Sequence, residues 1–362
     1  MLNEYQKARY EAFWHMDAID SCLLHISCDQ PDENGKYVLA EFYDMPKDKW
    51  FDIERRTQDL INVIKYAKFY GDGYFHPVAN FGFGFISASY GGGFTLADGT
   101  TWSDHEPIFK DINNFLYEKD DHKTLLHEKS AELNKRWKEL ENDDFYIVDE
   151  VGMCFPLDTL SILYGMEQLS MMLYDEPDAV IRATSVLTER SIVNLNNIMK
   201  TKTFPKGLTC WWPVWSKEIF TALQCDFSAM ISPAFFERFV LYDLTRKINA
   251  LPRSMYHLDG QGQIPHLDYI LAIKRLNCIQ WIANGSSQPG CLEPCWSDDP
   301  YWYPLLKRIQ NAGKGVVIAS DKHRVEGLIQ NLSTKGLFIE TKVDDEYEAN
   351  KLIEIAKFYG VK

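Results

Sequence analysis

Several chemistries are excluded by what this chain lacks. No apolar run approaches the length of a bilayer span. Residues 1–17 are charged and amphipathic, without the apolar core of a signal peptide, so a cytoplasmic protein is expected. Positive charge is short: 38 Lys and Arg against 52 Asp and Glu over 362 residues leave a net charge of −14. A nucleic-acid binder needs a basic face to track phosphates, and an anionic membrane attracts basic segments, so neither is an expected partner. The eight cysteines, at 22, 28, 154, 210, 225, 278, 291 and 295, are scattered and form no CxxC. They read as mostly reduced, buried thiols rather than a disulfide framework. There is no repeat of fixed period and no Pro/Gly/Ser linker. The glycines of Phe81–Gly99 complete no dinucleotide turn, and GxxxxGK[ST], GxSxG and HExxH are missing.

What is present is an alternation of short β-rich segments with helical patterns. Candidate strands fall at 75–80, 144–149, 207–212, 222–227, 254–258, 277–281, 315–319 and 336–340. The last two are apolar runs opened by glycine, as expected of strands buried on both faces. Between them lie helix signals. Leu60, Ile61, Val63, Ile64 and Ala67 share one face, and Ser232-Pro233 supplies a cap and an N1 proline. Pro177 opens a helix with Val180, Ala183 and Leu187. Asp344 to Glu346 precede Ala349, Leu352, Ile353 and Ala356, with Gly360 past the end. Strands alternating with helices predict parallel pairing, and eight strands fit a (β/α)8 TIM-type barrel. The organisation expected is one domain over 1–362, with an N-terminal helical extension at 1–70 and the barrel at 71–362. An open doubly wound sheet is the competing reading.

Active sites of such barrels sit at the C-terminal strand ends. Those ends carry Trp211, Trp212 and Trp215, then Asp226, then Tyr256-His257-Leu258-Asp259-Gly260, then Gln280-Trp281, then Asp321 and Glu340. His257 and Asp259 are two apart on a strand, so both can face the mouth. Together with Asp226 they are the catalytic candidates, as a metal-binding or proton-handling set. Tyr256, Gln280, Trp281, Asp321 and the three tryptophans are the binding candidates, since Trp faces attract flat or cationic ligands. A divalent ion would take His257, Asp259 and Glu340. Cys291 and Cys295 in CLEPC are weaker candidates for zinc thiolates. The alternatives are a satisfied histidine, a helix-capping aspartate and structural tryptophans.

The order and spacing of further motifs carry a resemblance. They include Asp226-Phe227-Ser228 with Ile231-Ser232-Pro233 and Phe236, Tyr256 to Gly260, Leu267-Asp268, Ile279-Gln280-Trp281, Ala312-Gly313-Lys314 and Gly336-Leu337-Phe338. Upstream stand Ala12-Phe13-Trp14, Phe81-Gly82-Phe83-Gly84, Thr101-Trp102, Leu157-Asp158-Thr159-Leu160, Tyr164-Gly165 and Leu173 to Pro177. Over nearly its whole length the chain resembles the uroporphyrinogen decarboxylase superfamily, and within it the corrinoid-dependent methyltransferases. The resemblance implies a (β/α)8 barrel with a cleft at its mouth. The arginine-rich start of the porphyrinogen decarboxylases is not matched, because Arg9 is the sole arginine of the first 50 residues. The thiol-methylating members hold zinc through His-x-Cys and a later Cys. Here Asp259 replaces the first cysteine, and Glu340-Thr341-Lys342-Val343 contains none. The resemblance therefore implies a methyl group moving between cobalamin on a partner corrinoid protein and tetrahydrofolate or a methylated amine or aryl ether. His257 and Gln280 would bind ligand, and Asp259 or Asp226 would manage the proton. Barrels of this kind often pair, so a homodimer is a further expectation. A decarboxylase or lyase of a small acid, and a non-catalytic ligand-binding barrel, are the alternatives.

Overall fold

The computed structural model describes residues 2–78, 81–104, 106–142, 145, 149–150, 152–283 and 295–362, with 149–150 described as backbone only. The protein is α/β. Its strands are β1 (Leu23–Cys28), β2 (Lys68–Gly71), β3 (Phe94–Leu96), β4 (Thr101–Ser103), β5 (Asp149–Glu150), β6 (Leu208–Thr209), β7 (Phe220–Leu223), β8 (Arg253–Asp259), β9 (Cys278–Ile282), β10 (Gly315–Ala319) and β11 (Leu337–Val343). One sheet runs β2-β1-β11-β10-β9-β8-β7, parallel throughout except for the antiparallel β1–β2 pair. Two further pairs, β3–β4 and β5–β6, stand apart from it.

The four C-terminal strands form where the apolar runs place them. The N-terminal half departs from expectation. The first sheet strand is β1, inside the segment read as a helical extension. Its sequence, LLHISC, is buried at every position, and an unalternating apolar run cannot be told from a buried helix by periodicity. No strand forms over 75–78, and 79–80 lie outside the described residues, as does most of 144–149. The 222–227 segment begins earlier and ends sooner, so Asp226 opens a 3₁₀ turn (Asp226–Met230) instead of ending a strand. The 207–212 segment keeps only Leu208 and Thr209, because Leu208 bridges back to Ser216 in antiparallel fashion. The ladder does not close into a ring among the described residues. One reason is local: β2 turns back along β1, pairing Gly71 with His25 and Lys68 with Cys28, and occupies that edge.

Side-chain caps open several helices, those at Ser232 and in Asp344 to Glu346 where the sequence places them. Asn3 and Gln6 form a reciprocal capping box on Glu4–Trp14, Ser232 accepts from the Phe235 N–H, and Asp345 caps Glu346–Tyr359. The helix Glu4–Trp14 packs against the N-terminal part of the sheet. Tyr10 and Phe13 lie 6.2 and 6.3 Å from the Phe338 ring, and Trp14 lies 5.0 Å from Phe220. Its Arg9 is buried in a two-pronged pair with Asp72, at 2.7 and 3.0 Å, and also donates to the Cys22 carbonyl. Asp72 in turn accepts the Leu24 N–H at 2.9 Å, which ties helix, strand and loop together.

A smaller apolar core forms beside the main one. It joins the helices Val38–Tyr43, Ile53–Tyr66 and Leu125–Lys138 through Leu39, Phe42, Trp50, Leu60, Leu133 and Trp137. The glycine-rich segment belongs here as a structural device. Gly82 has φ +76°, and a Cβ on it would meet the Thr101 nitrogen at 2.4 Å, so only glycine fits. Among the described residues no helix is long and apolar enough to cross a membrane.

Candidate functional site

Register decides which side chains share a face. Leu23 lies beside Phe338, Phe338 beside Val317, Val317 beside Gln280, and Gln280 beside His257. Two residues further along the strands, His25 lies beside Glu340 and Asp259 beside Ile282. One face of the sheet, toward its C-terminal edge, thus collects His25, Glu340, Gln280, His257 and Asp259.

His257 is fixed by its neighbour. The Gln280 amide nitrogen donates to the Trp281 carbonyl at 3.0 Å, which turns its oxygen toward His257 Nδ1. Nδ1 therefore carries the proton in that hydrogen bond, and in the neutral ring Nε2 is left as the proton acceptor. Asp226 belongs to the same group. Burial raises its carboxyl above the ordinary range; His257 opposes the rise, and Asp259 adds to it. Gln224 donates to Asp226 at 2.7 Å. Histidine and two carboxylates, predicted from the sequence as a set, are thus close enough to influence one another.

Asp158 supports this group from below. Its two oxygens accept the backbone N–H groups of Asp226 at 3.1 Å and Phe227 at 2.8 Å, pinning the turn that presents Asp226. Burial, and then the Asp226 charge, push its carboxyl up to about 7. A carboxyl poised near neutrality is suited to giving and taking protons. The sequence places Asp158 in a motif without assigning it a role.

Beside this group lies a cavity of about 460 Å³, within the range of small-molecule sites. Trp211, Trp212 and Glu340 line it, together with His25, His76, Phe42 and Tyr43. Trp211 connects the two regions: it is 37% exposed, and its ring centroid stands 6.3 Å from that of His257. Burial pushes Glu340 up to about 7, with Lys342 opposing. His25 and His76 are not among the residues the sequence singles out. Their rings are perpendicular at 6.1 Å, and burial drives them down to about 4 and about 3, so both are neutral. The only sequence signal is a histidine inside each of two segments, LLHISC and FHP, whose partners are far away in the chain.

The remaining candidates lie outside the cavity wall. Tyr256 is fully buried, with its hydroxyl toward Gln263, and Trp281 is fully buried against Trp302 at 5.0 Å. Both alternate with His257 and Gln280 and so point to the opposite face of the sheet. Trp215 is buried, and its Nε1 donates to the Lys206 carbonyl at 2.9 Å. Asp321 is exposed and caps its own turn by accepting the His323 N–H. Cys291 lies outside the described residues, and Cys295 is buried and disulfide-bonded, so it is not the reduced thiol or zinc thiolate expected. Among the described residues, no three His, Cys, Asp or Glu side chains are grouped as a metal site would require. His257, Asp259 and Glu340 are therefore not assembled as a ligand set, and the zinc of the thiol-methylating enzymes does not fit this arrangement.

The fold and site define an α/β protein with a cluster of ionisable side chains and an adjoining aromatic cavity toward the C-terminal edge of a mostly parallel sheet. No family model matches the chain, and no curated protein matches it. Among solved structures it is similar to a methyltransferase from Methanosarcina mazei, with a TM-score of 0.56 and 12% identity, covering 98% of each chain. At that identity the likeness is one of fold.

Proposed function

We propose that this chain is a methyltransferase of the uroporphyrinogen decarboxylase-like type, and that its six consecutive parallel strands belong to an eight-stranded barrel. Its reaction would exchange a methyl group between cobalamin on a partner corrinoid protein and a small molecule. That molecule is tetrahydrofolate, or a methylated amine or aryl ether. The observation that carries the reading is the convergence of His257, Asp259 and Asp226 beside Trp211 and the cavity.

The cavity has room for the small reactant and not for a corrin, so the corrin would stay at the mouth on its own protein. When bound there, it supplies the methyl-carrying metal. The chain's own residues do the rest. A methyl group leaving a neutral oxygen or nitrogen as a cation equivalent leaves one negative charge, which takes up one proton. In the reverse direction the acceptor nitrogen gives one up. His257, oriented by Gln280, offers Nε2 for that proton, and Asp226 or Asp259 relays it. Trp211 and Trp212 hold the reactant and limit access of water.

The test is anaerobic incubation of the full chain with methylcobalamin and tetrahydrofolate, following the cobalamin spectrum. In parallel, a methoxyarene and a methylamine are assayed with reduced cobalamin. Methyl transfer that falls at least 100-fold in His257→Ala and Asp259→Ala, with unchanged circular dichroism, is expected. Full activity in both variants would remove this site, and carbon dioxide release without cobalamin would point to a decarboxylase.

A further inference from the structure

The aromatic cavity carries an unusual set of unmet hydrogen bonds. His25 Nδ1, His76 Nδ1 and Trp212 Nε1 are each buried without a hydrogen-bond partner, and all three side chains line the same cavity. A buried polar atom left unpaired costs about 1–3 kcal/mol. Three in the wall of one cavity are accounted for when a ligand supplies their partners.

Their polarity can be worked out. His25 Nε2 faces the Tyr74 carbonyl at 2.9 Å, so Nε2 bears the proton and Nδ1 presents a lone pair. Burial keeps the His76 ring neutral, and its Nδ1 is likewise without a partner. Trp212 Nε1 can only donate. The complement is a group with an N–H or O–H donor and a nearby acceptor.

Charge narrows the ligand further. Among the described residues, the basic ones lining the cavity are Lys49, Arg56 and Lys342, and the acidic ones are Asp59 and Glu340. Lys49 is taken up by Asp59 at 2.7 Å. Arg56 is buried against the faces of Trp50, Phe81 and Trp137, its carbon 4.7 Å from the Phe81 centroid. The protein's own cation thus occupies the aromatic cage that a quaternary ammonium would need. A quaternary ammonium would have to displace the Arg56 guanidinium from those rings.

We infer that the cavity binds a planar ring carrying an N–H or O–H donor beside an acceptor atom, flanked by Trp211 and Trp212 with its polar edge toward His25 and His76. A reduced pterin and a hydroxylated methoxyarene share this chemistry; a methylated ammonium ion lacks it. This deepens the proposed reaction and rests on it for the ligand's role, because it selects among the reactants named there.

Binding can be read without any methyl transfer. The full chain is titrated calorimetrically with 6-methylpterin, 2-methoxyphenol, methoxybenzene and phenyltrimethylammonium. At least one of the first two should bind tenfold or more tightly than the last two, and which one binds identifies the source of the ring. His76→Phe, which keeps an aromatic ring and removes the unpaired nitrogen, should weaken that binding about tenfold. Trp212→Phe should do the same should His76→Phe fail to fold. Phenyltrimethylammonium or methoxybenzene binding as tightly as the donor-bearing probes would overturn the inference, as would no binding of any probe at millimolar concentration. Binding as expected without methyl transfer would refute the proposed reaction and leave the ligand class standing.

Discussion

Asp158 offers a sharp test of the buried electrostatics beneath the site. Its carboxyl is raised from 3.8 to about 7 in the folded protein, chiefly by burial and next by Asp226. In an unfolded chain it returns to the ordinary value near 4. Between those values the folded state holds the extra proton, so stability falls as pH rises from about 4 to about 7 and is level above that. A tenfold change in proton affinity is worth about 1.36 kcal/mol. The rise from 3.8 to about 7 therefore sets a ceiling of about 4 kcal/mol, and partial access of solvent lowers the expected loss to about 2–3 kcal/mol. Asp158→Asn has nearly the shape of the protonated acid and cannot ionise. Its carbonyl can still accept one of the two N–H groups, from Phe227 or Asp226. Variant and parent should therefore be close in stability near pH 4.5. By pH 8 the variant should be the more stable by about 2–3 kcal/mol. Urea unfolding at both pH values, with equal m-values, measures this directly. Glu340, raised in the same direction, is present in both proteins and cancels in the comparison. Parallel pH profiles for the two proteins, or a parent that gains relative to the variant on going to pH 8, would refute the reasoning.

Other perturbations separate framework from site. Asp72→Ala leaves Arg9 buried without its carboxylate and should cost about 3–5 kcal/mol, seen as a lower midpoint in a circular dichroism melt; a change below about 0.5 kcal/mol would contradict the pairing. Gly207 has φ +82°, and a Cβ there would lie 2.2 Å from Trp215 Nε1, so Gly207→Ala should destabilise by about 2 kcal/mol or more in urea unfolding. Trp281→Phe should lower stability by about 1–3 kcal/mol and leave ligand affinity unchanged, because Trp281 packs on Trp302 away from the cavity. Trp211→Phe should do the reverse, with stability within about 0.5 kcal/mol and weaker ligand binding by calorimetry, because this ring is partly exposed at the mouth.

The pattern of agreement follows from the range of the forces involved. Strands β8 to β11 and the helices capped by Ser232 and Asp345 are legible in the sequence because apolar runs, glycine breaks and capping side chains act within a few residues. Strand β1 is not legible, because LLHISC becomes a strand by pairing with β2 and with β11, the latter more than 300 residues away. The same separation hides the cavity. Asp226, His257 and Asp259 can be found because two of them share one strand end. His25 and His76 cannot be grouped with Glu340 until the chain returns β11 to the side of β1. Tyr256 and Trp281 face away from His257 and Gln280 for a simpler reason. They adjoin site residues in sequence, and a strand sends adjacent side chains to opposite faces.

What the sequence determined by itself is the alternation of strands and helices, the acidic balance of the chain, and the residue types available for proton chemistry. These depend on local conformational preference and composition, which need no knowledge of distant partners. Only the tertiary structure decided which face of each strand looks inward, that Asp158 pins the turn presenting Asp226, and that two histidines from the first 80 residues complete an aromatic wall with Trp211 and Trp212. Register and burial fix those outcomes. Both come into being when segments far apart in the chain exclude water from one another.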